Sequence, residues 1–138
     1  MEEFKEATYS DPDFLRQNQI EIYQSALYGQ VETTMSRGLL NPILVRPILN
    51  HLGFATPRMF ETIIADTVPL IPNYFTYAPR LYGMDISQLT LSVDNAANNI
   101  LKMLENYEEN KKLARDIRET LKTQHSYETR LKQLLQYI

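Results

Sequence analysis

The sequence contains no cysteine, no tryptophan and only four glycines in 138 residues. The lack of cysteine excludes a disulfide framework, a thiolate zinc site and a cysteine nucleophile, and it is consistent with a reducing cytoplasm, which is the location we expect. Histidine is almost as scarce. His51 and His125 lie far apart in the sequence and have no obvious carboxylate partner. We therefore predict no metal site and no cofactor.

Long apolar runs are also missing. No window approaches the roughly 20 apolar residues that a membrane-spanning helix needs. The first ten residues, MEEFKEATYS, are acidic, whereas a signal peptide begins with basic and then apolar residues. We therefore expect a soluble, non-exported protein without a membrane span. The formal charge of -3 also argues against nonspecific binding to nucleic acid.

The residues that are present are sufficient for a folded core. Hydrophobic residues make up 43% of the chain and charged residues 22%, and the length corresponds to one domain or a piece of one. Six of the seven prolines lie between Pro42 and Pro79. We divide the single domain into a helical lead-in at 1–37, an α/β core at 38–104 and a helical tail at 105–138.

The first third of the chain predicts a helix and then a strand. Asp11 and Pro12 are typical of a helix start, and helically spaced apolar residues continue the pattern to about residue 28. Residues 31–36 could extend it as far as Gly38. The apolar run 39–45 predicts a buried strand, because Pro42 interrupts it too early for a helix.

The middle of the chain predicts a loop, a helix and two strands. Residues 46–55 have a loop composition, and Thr56 and Pro57 are the expected N-cap and first residue of a helix to about residue 66. Its expected core side excludes Glu61 and Thr62 and consists of Met59, Phe60, Ile63 and Ile64. Two continuous apolar runs predict strands, with a tyrosine-rich connection between them, at residues 68–71 and 89–93.

The remaining residues predict a run of helices. Asp94 is the expected cap of the first, and helically spaced apolar residues continue to Ile138. The mixed-sign charge run 105–132 is most simply a solvated helix face. We expect Asp66 to cap or hydrogen-bond the turn before the second strand.

The alternation of strands and helices predicts an α/β fold. Its expected core is a partial, Rossmann-like parallel sheet of about three strands, flanked by helices and followed by a helical C-terminal tail. A complete doubly wound domain usually has five or six strands, so we interpret the chain as the second half of such a domain. An exposed strand edge at 39–45 would then favour self-association or binding to a separate N-terminal half.

Ligands of open parallel sheets bind beyond the carboxyl ends of the strands, which selects residues 43–56 and 72–80. The first region leads into the helix that starts at Pro57, whose positive dipole end favours a phosphate. Arg58 adds a planar cation, and Glu61 adds a carboxylate that could hold a ribose diol. Alternatively, Arg58 and Glu61 are simply solvated or paired with neighbours.

Two further side chains are candidates in these regions. His51 could contact sugar or phosphate, or be an ordinary loop residue. Asn73 follows the second strand and could reach base or sugar, or belong to a packed connection.

A resemblance adds to this reading. The segment PRMFETIIADTVPLIP at 57–72 resembles a segment near the C-terminus of GT-B type glycosyltransferases, especially the bacterial group related to spore-maturation glycosyltransferases. RGLLNP at 37–42 and HSYETRLKQLL at 125–135 resemble that group too. The resemblance implies that the chain is the C-terminal, nucleotide-sugar-binding part of such an enzyme.

The resemblance also implies roles for individual residues. Of two glutamates in the family, the ribose-binding one maps onto Glu61 and the other onto Gly53, which has no carboxylate. Thr56 and Arg58 map near the helix end that meets the diphosphate. The expected substrate-binding residues are Glu61, Arg58, Thr56, Pro57, His51 and Asn73.

No catalytic residue is assigned, because the family's basic pair has no identified equivalent in residues 1–35. We expect no transfer by this chain without an acceptor-binding N-terminal domain. The alternative function is a non-catalytic helical interaction or regulatory module that keeps the glycosyltransferase scaffold.

Overall fold

The computed structural model describes residues 11–22, 25–27 and 29–138. The predicted features at residues 1–10, 23, 24 and 28, Tyr23 among them, lie outside this part of the chain. Its helices are α1 Pro12–Gln17, α2 Val31–Met35, α3 Pro47–His51, α4 Pro57–Ile64, α5 Ala78–Tyr82, α6 Ala96–Glu105, α7 Tyr107–Gln124 and α8 Tyr127–Leu135. Its strands are β1 Leu40–Pro42, β2 Val68–Pro72 and β3 Thr90–Leu91.

The three strands form a parallel sheet in the order β1-β2-β3. Leu40 pairs with Val68, and Ile71 pairs with Thr90. All five residues of β2 are buried, because the central strand has a neighbour on each side and α4 and α7 pack against it. The predicted α/β fold with a parallel sheet, flanking helices and a helical C-terminal stretch is therefore confirmed.

The main core lies between β2 and the helices around it. Tyr82 of α5 is fully buried there, and its hydroxyl donates a 3.0 Å hydrogen bond to the carbonyl oxygen of Met59 in α4. This bond satisfies the one polar atom of a large buried ring. Apolar side chains that complete the cluster include Ile43, Ile63, Val68, Ile71, Phe75, Ile86, Leu89 and Ile117.

The N-terminal helix is shorter than the predicted span of 12–28. Asp11 does cap α1, but the helix ends at Gln17, and Gln19 has a left-handed φ of 54°. The apolar side chains Phe14, Ile22 and Leu27 are exposed. An isolated helix needs an apolar face packed on a core to offset its conformational entropy, and these side chains have none.

The predicted loop at 46–55 contains helix α3. Arg46 is extended and Pro47 occupies the first helical position, where its missing N–H costs nothing. The helix ends in a Schellman turn: the Gly53 N–H donates to the Asn50 carbonyl and the Phe54 N–H to the Leu49 carbonyl. Gly53 has a φ of 66°, so glycine suits this turn.

The core side of α4 differs from the expected one at two positions. Thr62 is fully buried, whereas Ile64 is 57% exposed. The Thr62 hydroxyl can be buried because it donates to the Arg58 carbonyl one turn earlier, at 2.8 Å. A second helix absent from the prediction, α5, lies within the tyrosine-rich connection.

The helical tail is confirmed, with two differences in detail. Asp94 does not cap α6; it lies in a short 3-10 turn, and Asn95 is the residue before the helix. α7 packs on the core through Ile117 and Leu121, but α8 buries none of its side chains. Within the described residues, the structure contains no helix that combines the length and apolar character needed to cross a bilayer.

Candidate functional site

A cleft of about 390 Å³ lies where the chain leaves β1 and enters α4. The cleft is lined in part by residues 43–56, the first of the two regions that we selected because ligands of open parallel sheets bind beyond the carboxyl ends of the strands. Four of the six predicted binding residues line the cleft: Thr56, Pro57, Arg58 and Glu61. The other lining residues are Leu44, Val45, Arg46 and Leu49.

Prolines and a glycine shape this cleft. Pro47 and Pro57 start α3 and α4, and the turn at Gly53 reverses the chain between them. Pro starts a helix readily because its φ is already helical. The start of α4 is thereby placed beside the residues that follow β1.

The predicted pair, Arg58 and Glu61, lies on one wall of the cleft. The guanidinium and the carboxylate approach to 3.5 Å, with side-chain exposures of 45% and 28%. The Arg58 guanidinium also contacts the sulfur of Met35 at 3.0 Å. Arg58 and Glu61 therefore pair with each other, which agrees with the alternative interpretation that they are paired with neighbours. Arg58 has five N–H donors, so these contacts leave donors that can face the cleft.

Thr56 occupies the N-cap position of α4, as predicted, but its side chain makes no capping hydrogen bond. Its hydroxyl oxygen is buried and has no hydrogen-bond partner. A buried hydroxyl without a partner costs free energy, so this group is suited to an additional donor or acceptor in the cleft.

Arg46 is the charged lining residue that the sequence predictions missed. It is exposed, and its side chain has no hydrogen bond or ion pair with the rest of the described chain. The available signal was a basic residue directly before Pro47, within the predicted ligand loop. With Arg58 it gives the cleft two guanidinium groups and one carboxylate. This charge distribution and the dipole of α4 favour an anion.

His51 and Asn73 do not line the cleft. His51 is the exposed last residue of α3. Asn73 is exposed beyond β2, and its backbone N–H donates to the Leu91 carbonyl at 2.9 Å. Neither side chain joins the four predicted residues that the cleft brings together.

Tyr77 connects the two candidate ligand regions, residues 43–56 and 72–80. Its hydroxyl donates to the carbonyl of Phe54 at 3.1 Å, and its ring stacks on Phe75 with centroids 5.8 Å apart. Burial raises the pKa of the Tyr77 hydroxyl, so this donor stays protonated at neutral pH. The tyrosine-rich connection therefore packs against the turn that precedes α4.

Within the described residues, no group of three histidine or acidic side chains is placed to share a metal ion. The chemistry available at the cleft is the binding of an anion that also carries hydroxyl groups. Comparisons of the chain with family models, with curated proteins and with solved structures gave no match.

Proposed function

We propose that this chain is the donor-binding part of a GT-B type glycosyltransferase and that the cleft at α4 binds the nucleoside diphosphate of a sugar donor. The observation that carries the proposal is the position of Arg46, Arg58 and Glu61 around the start of α4. The sequence resemblance described above points to the same helix.

The diphosphate is assigned to the two arginines and the N-terminal end of α4. A guanidinium binds two phosphate oxygens at once through its planar fork, and a helix dipole favours negative charge at this end. The Thr56 hydroxyl, which has no partner, can donate to a further phosphate oxygen. Arg46, Thr56 and Arg58 all line the same cleft.

The ribose is assigned to Glu61. A carboxylate accepts hydrogen bonds from two neighbouring hydroxyls, so it suits a ribose diol. Glu61 lies one helical turn after Arg58, and the carboxylate and the guanidinium are 3.5 Å apart. A ligand could therefore contact both side chains at once.

In the proposed transfer, the bond between the anomeric carbon and the diphosphate oxygen breaks, the acceptor oxygen bonds to that carbon, and the proton of the acceptor hydroxyl is released to solvent. Negative charge grows on the leaving diphosphate, so cations and dipoles already aimed at it lower the barrier. In this proposal Arg46 and Arg58 stabilise that charge, and Glu61 orients the nucleotide.

The test is calorimetric titration of the chain with uridine diphosphate and guanosine diphosphate. We expect one of the two to bind, and we expect Arg58→Ala and Glu61→Gln each to weaken binding about tenfold, which corresponds to about 1.4 kcal/mol. Matched controls are Arg80→Ala and Glu105→Gln, exposed residues of α5 and α6 outside the cleft.

Circular dichroism would establish that each variant keeps its helices. Binding of neither nucleotide up to about 1 mM would refute the proposal. Equal weakening by the cleft variants and by their matched controls would also refute it, since the ligand would then bind elsewhere.

A second candidate function is a non-catalytic interaction module. The observation that favours it is the exposure of the apolar side chains Leu131, Leu134 and Leu135 on α8. Exposed apolar patches are typical of protein interaction surfaces. Stable association with a second copy or with a separate N-terminal half, without nucleotide binding, would favour this candidate.

A further inference from the structure

A second cavity, of about 410 Å³, lies at the opposite edge of the sheet. It is bounded by the 3-10 turn Ser87–Leu89, which precedes β3, and by the junction of α6 and α7. The first cleft follows the carboxyl end of β1, whereas this cavity is next to the amino end of β3. In a parallel sheet all strands run in the same direction, so the carboxyl ends of the strands lie on one side of the sheet and the amino ends on the opposite side.

The side chains around this cavity are polar except for Met103, and together they carry no net charge. Four amides line it, those of Gln88, Asn99, Asn106 and Asn110. Lys102 and Glu109 add one charge of each sign, and neither forms an ion pair with another residue of the described chain. The balanced charge gives no preference for an anion or a cation.

Asn110 is the most informative of these residues. It is 1% exposed, and its side-chain nitrogen donates to the Met103 carbonyl at 3.0 Å, which ties α7 to α6. Its side-chain oxygen is also buried but accepts no hydrogen bond. The link between the helices explains the buried nitrogen only. Asn110 is one of the residues that line the cavity, and a buried acceptor without a partner within the chain is suited to a donor supplied from outside it.

The free groups favour a ligand that both donates and accepts hydrogen bonds. The Asn106 nitrogen already donates to the Lys102 carbonyl, so its oxygen is the free group. Gln88 and Asn99 have no side-chain hydrogen bond within the described residues, so each offers a donor and an acceptor. Hydroxyl groups match such amides because each one can donate and accept. The buried Met103 adds an apolar surface for the C–H side of a ring.

We propose that this second cavity binds an uncharged polyhydroxylated ligand, a mono- or disaccharide, through the amide groups of Gln88, Asn99, Asn106 and Asn110. A volume of about 410 Å³ lies within the range of ordinary small-molecule sites. The inference uses no residue of the α4 cleft, so it stands or fails independently of the proposed function.

The test is a two-dimensional ¹H–¹⁵N NMR titration of the chain with glucose, galactose, mannose, N-acetylglucosamine and maltose. The side-chain amide signals of asparagine and glutamine are visible in this experiment, so the proposed groups report directly. We expect at least one sugar to shift the amides of the cavity in a saturable way below about 10 mM.

Asn99→Ala is the test variant, and Asn98→Ala, the neighbouring exposed residue of α6 outside the cavity, is the matched control. We expect Asn99→Ala to weaken binding at least fivefold and Asn98→Ala to leave it unchanged. Because Asn99 is only partly buried, its replacement should preserve the fold, which the backbone signals would verify.

Three outcomes would overturn the proposal. The first is that no sugar shifts the cavity amides up to that concentration. The second is a set of sugar-induced shifts that Asn99→Ala leaves unchanged. The third is saturable binding of inorganic phosphate at these amides instead of a sugar, which would assign the wrong ligand class.

Discussion

At the scale of single residues, Asp66 shows how a predicted turn residue acquired a different role. It follows α4 with a left-handed φ of 57°. Its carboxylate does not cap the turn before β2; it meets three cations of α7, with Lys111 at 3.1 Å, Arg115 at 3.6 Å, and Arg118. Part of the charge run that predicted a solvated face therefore attaches α7 to the end of α4.

These contacts also change the titration of Asp66. Burial of the carboxylate alone would raise its pKa. Hydrogen bonds from Lys111 and Arg118, together with their positive charges, outweigh that effect and hold the pKa of Asp66 below its ordinary value. Because the folded-state pKa is depressed, the stabilisation is complete above the unfolded-state pKa and is lost as the pH falls through the folded-state value.

The first prediction concerns Asp66→Asn, which removes the charge but keeps a residue that tolerates a left-handed φ. We expect it to lower the free energy of unfolding by about 1 kcal/mol at neutral pH, because three partly exposed ion pairs are lost. The difference from the unmodified chain should disappear as the pH falls through the folded-state pKa of Asp66, where the carboxylate becomes protonated. Urea unfolding at neutral pH and at successively lower pH values measures this.

The control for that comparison is Asp94→Asn, an exposed aspartate with no ion pair in the described chain. We expect the control to change the free energy of unfolding by less than about 0.5 kcal/mol. A loss for Asp66→Asn that stays the same from neutral pH to strongly acidic pH would contradict the role of its charge.

At the scale of elements, α7 and α8 have similar sequence patterns but different environments. Ser126 caps α8, and its hydroxyl oxygen accepts a hydrogen bond from the Thr129 N–H. Helix α7 packs against β2 and α4, whereas the apolar side chains of α8 stay exposed. The serine cap favours the start of α8, but of these two helices only α7 contributes buried side chains to the core.

The second prediction is that removal of residues 127–138 lowers the free energy of unfolding by less than about 1 kcal/mol, because α8 buries no side chain. Sedimentation of the full chain and of the chain that lacks residues 127–138 would show whether the exposed leucines cause association. We expect the truncated chain to be a monomer. A truncation loss of several kcal/mol, as a core helix would give, would contradict this description of α8.

At the scale of the whole molecule, β2 is the central strand that links the regions of the two cavities. It pairs with β1 on one side and β3 on the other. β1 leads into the α4 cleft, and β3 borders the second cavity. Both cavities are therefore positioned by the same small sheet and its packed helices.

The third prediction compares two isoleucines that the sequence does not distinguish. Ile71 of β2 is fully buried, whereas Ile64 of α4 is exposed. We expect Ile71→Ala to lower the free energy of unfolding by about 2–5 kcal/mol, because it leaves a cavity in the core. Ile64→Ala should cost less than about 0.5 kcal/mol. Thermal or urea unfolding measures both, and similar losses would contradict the assigned core.

The candidate site was predictable where its residues are adjacent in sequence. Thr56, Pro57, Arg58 and Glu61 share one cleft because a helix start and its first turns lie close in space as well as in sequence. Arg46 was missed and His51 lies outside the cleft, because Arg46 precedes helix α3 and His51 ends it, and the loop composition of this segment did not predict a helix. The unpartnered state of the Thr56 hydroxyl, and the cavity around Asn110, depend on neighbours that spacing does not reveal.

The sequence by itself determined the class of the fold, the approximate positions of the three strands, the start of α4 and the helical tail. Apolar runs and proline positions act through local backbone preferences, which can be predicted from the sequence without knowledge of the tertiary structure. Only the tertiary structure decided that α1 is short, that Thr62 and not Ile64 is buried, and that Asp66 pairs with α7. These outcomes depend on which surfaces meet, because burial and ion pairing are properties of contacts between distant segments.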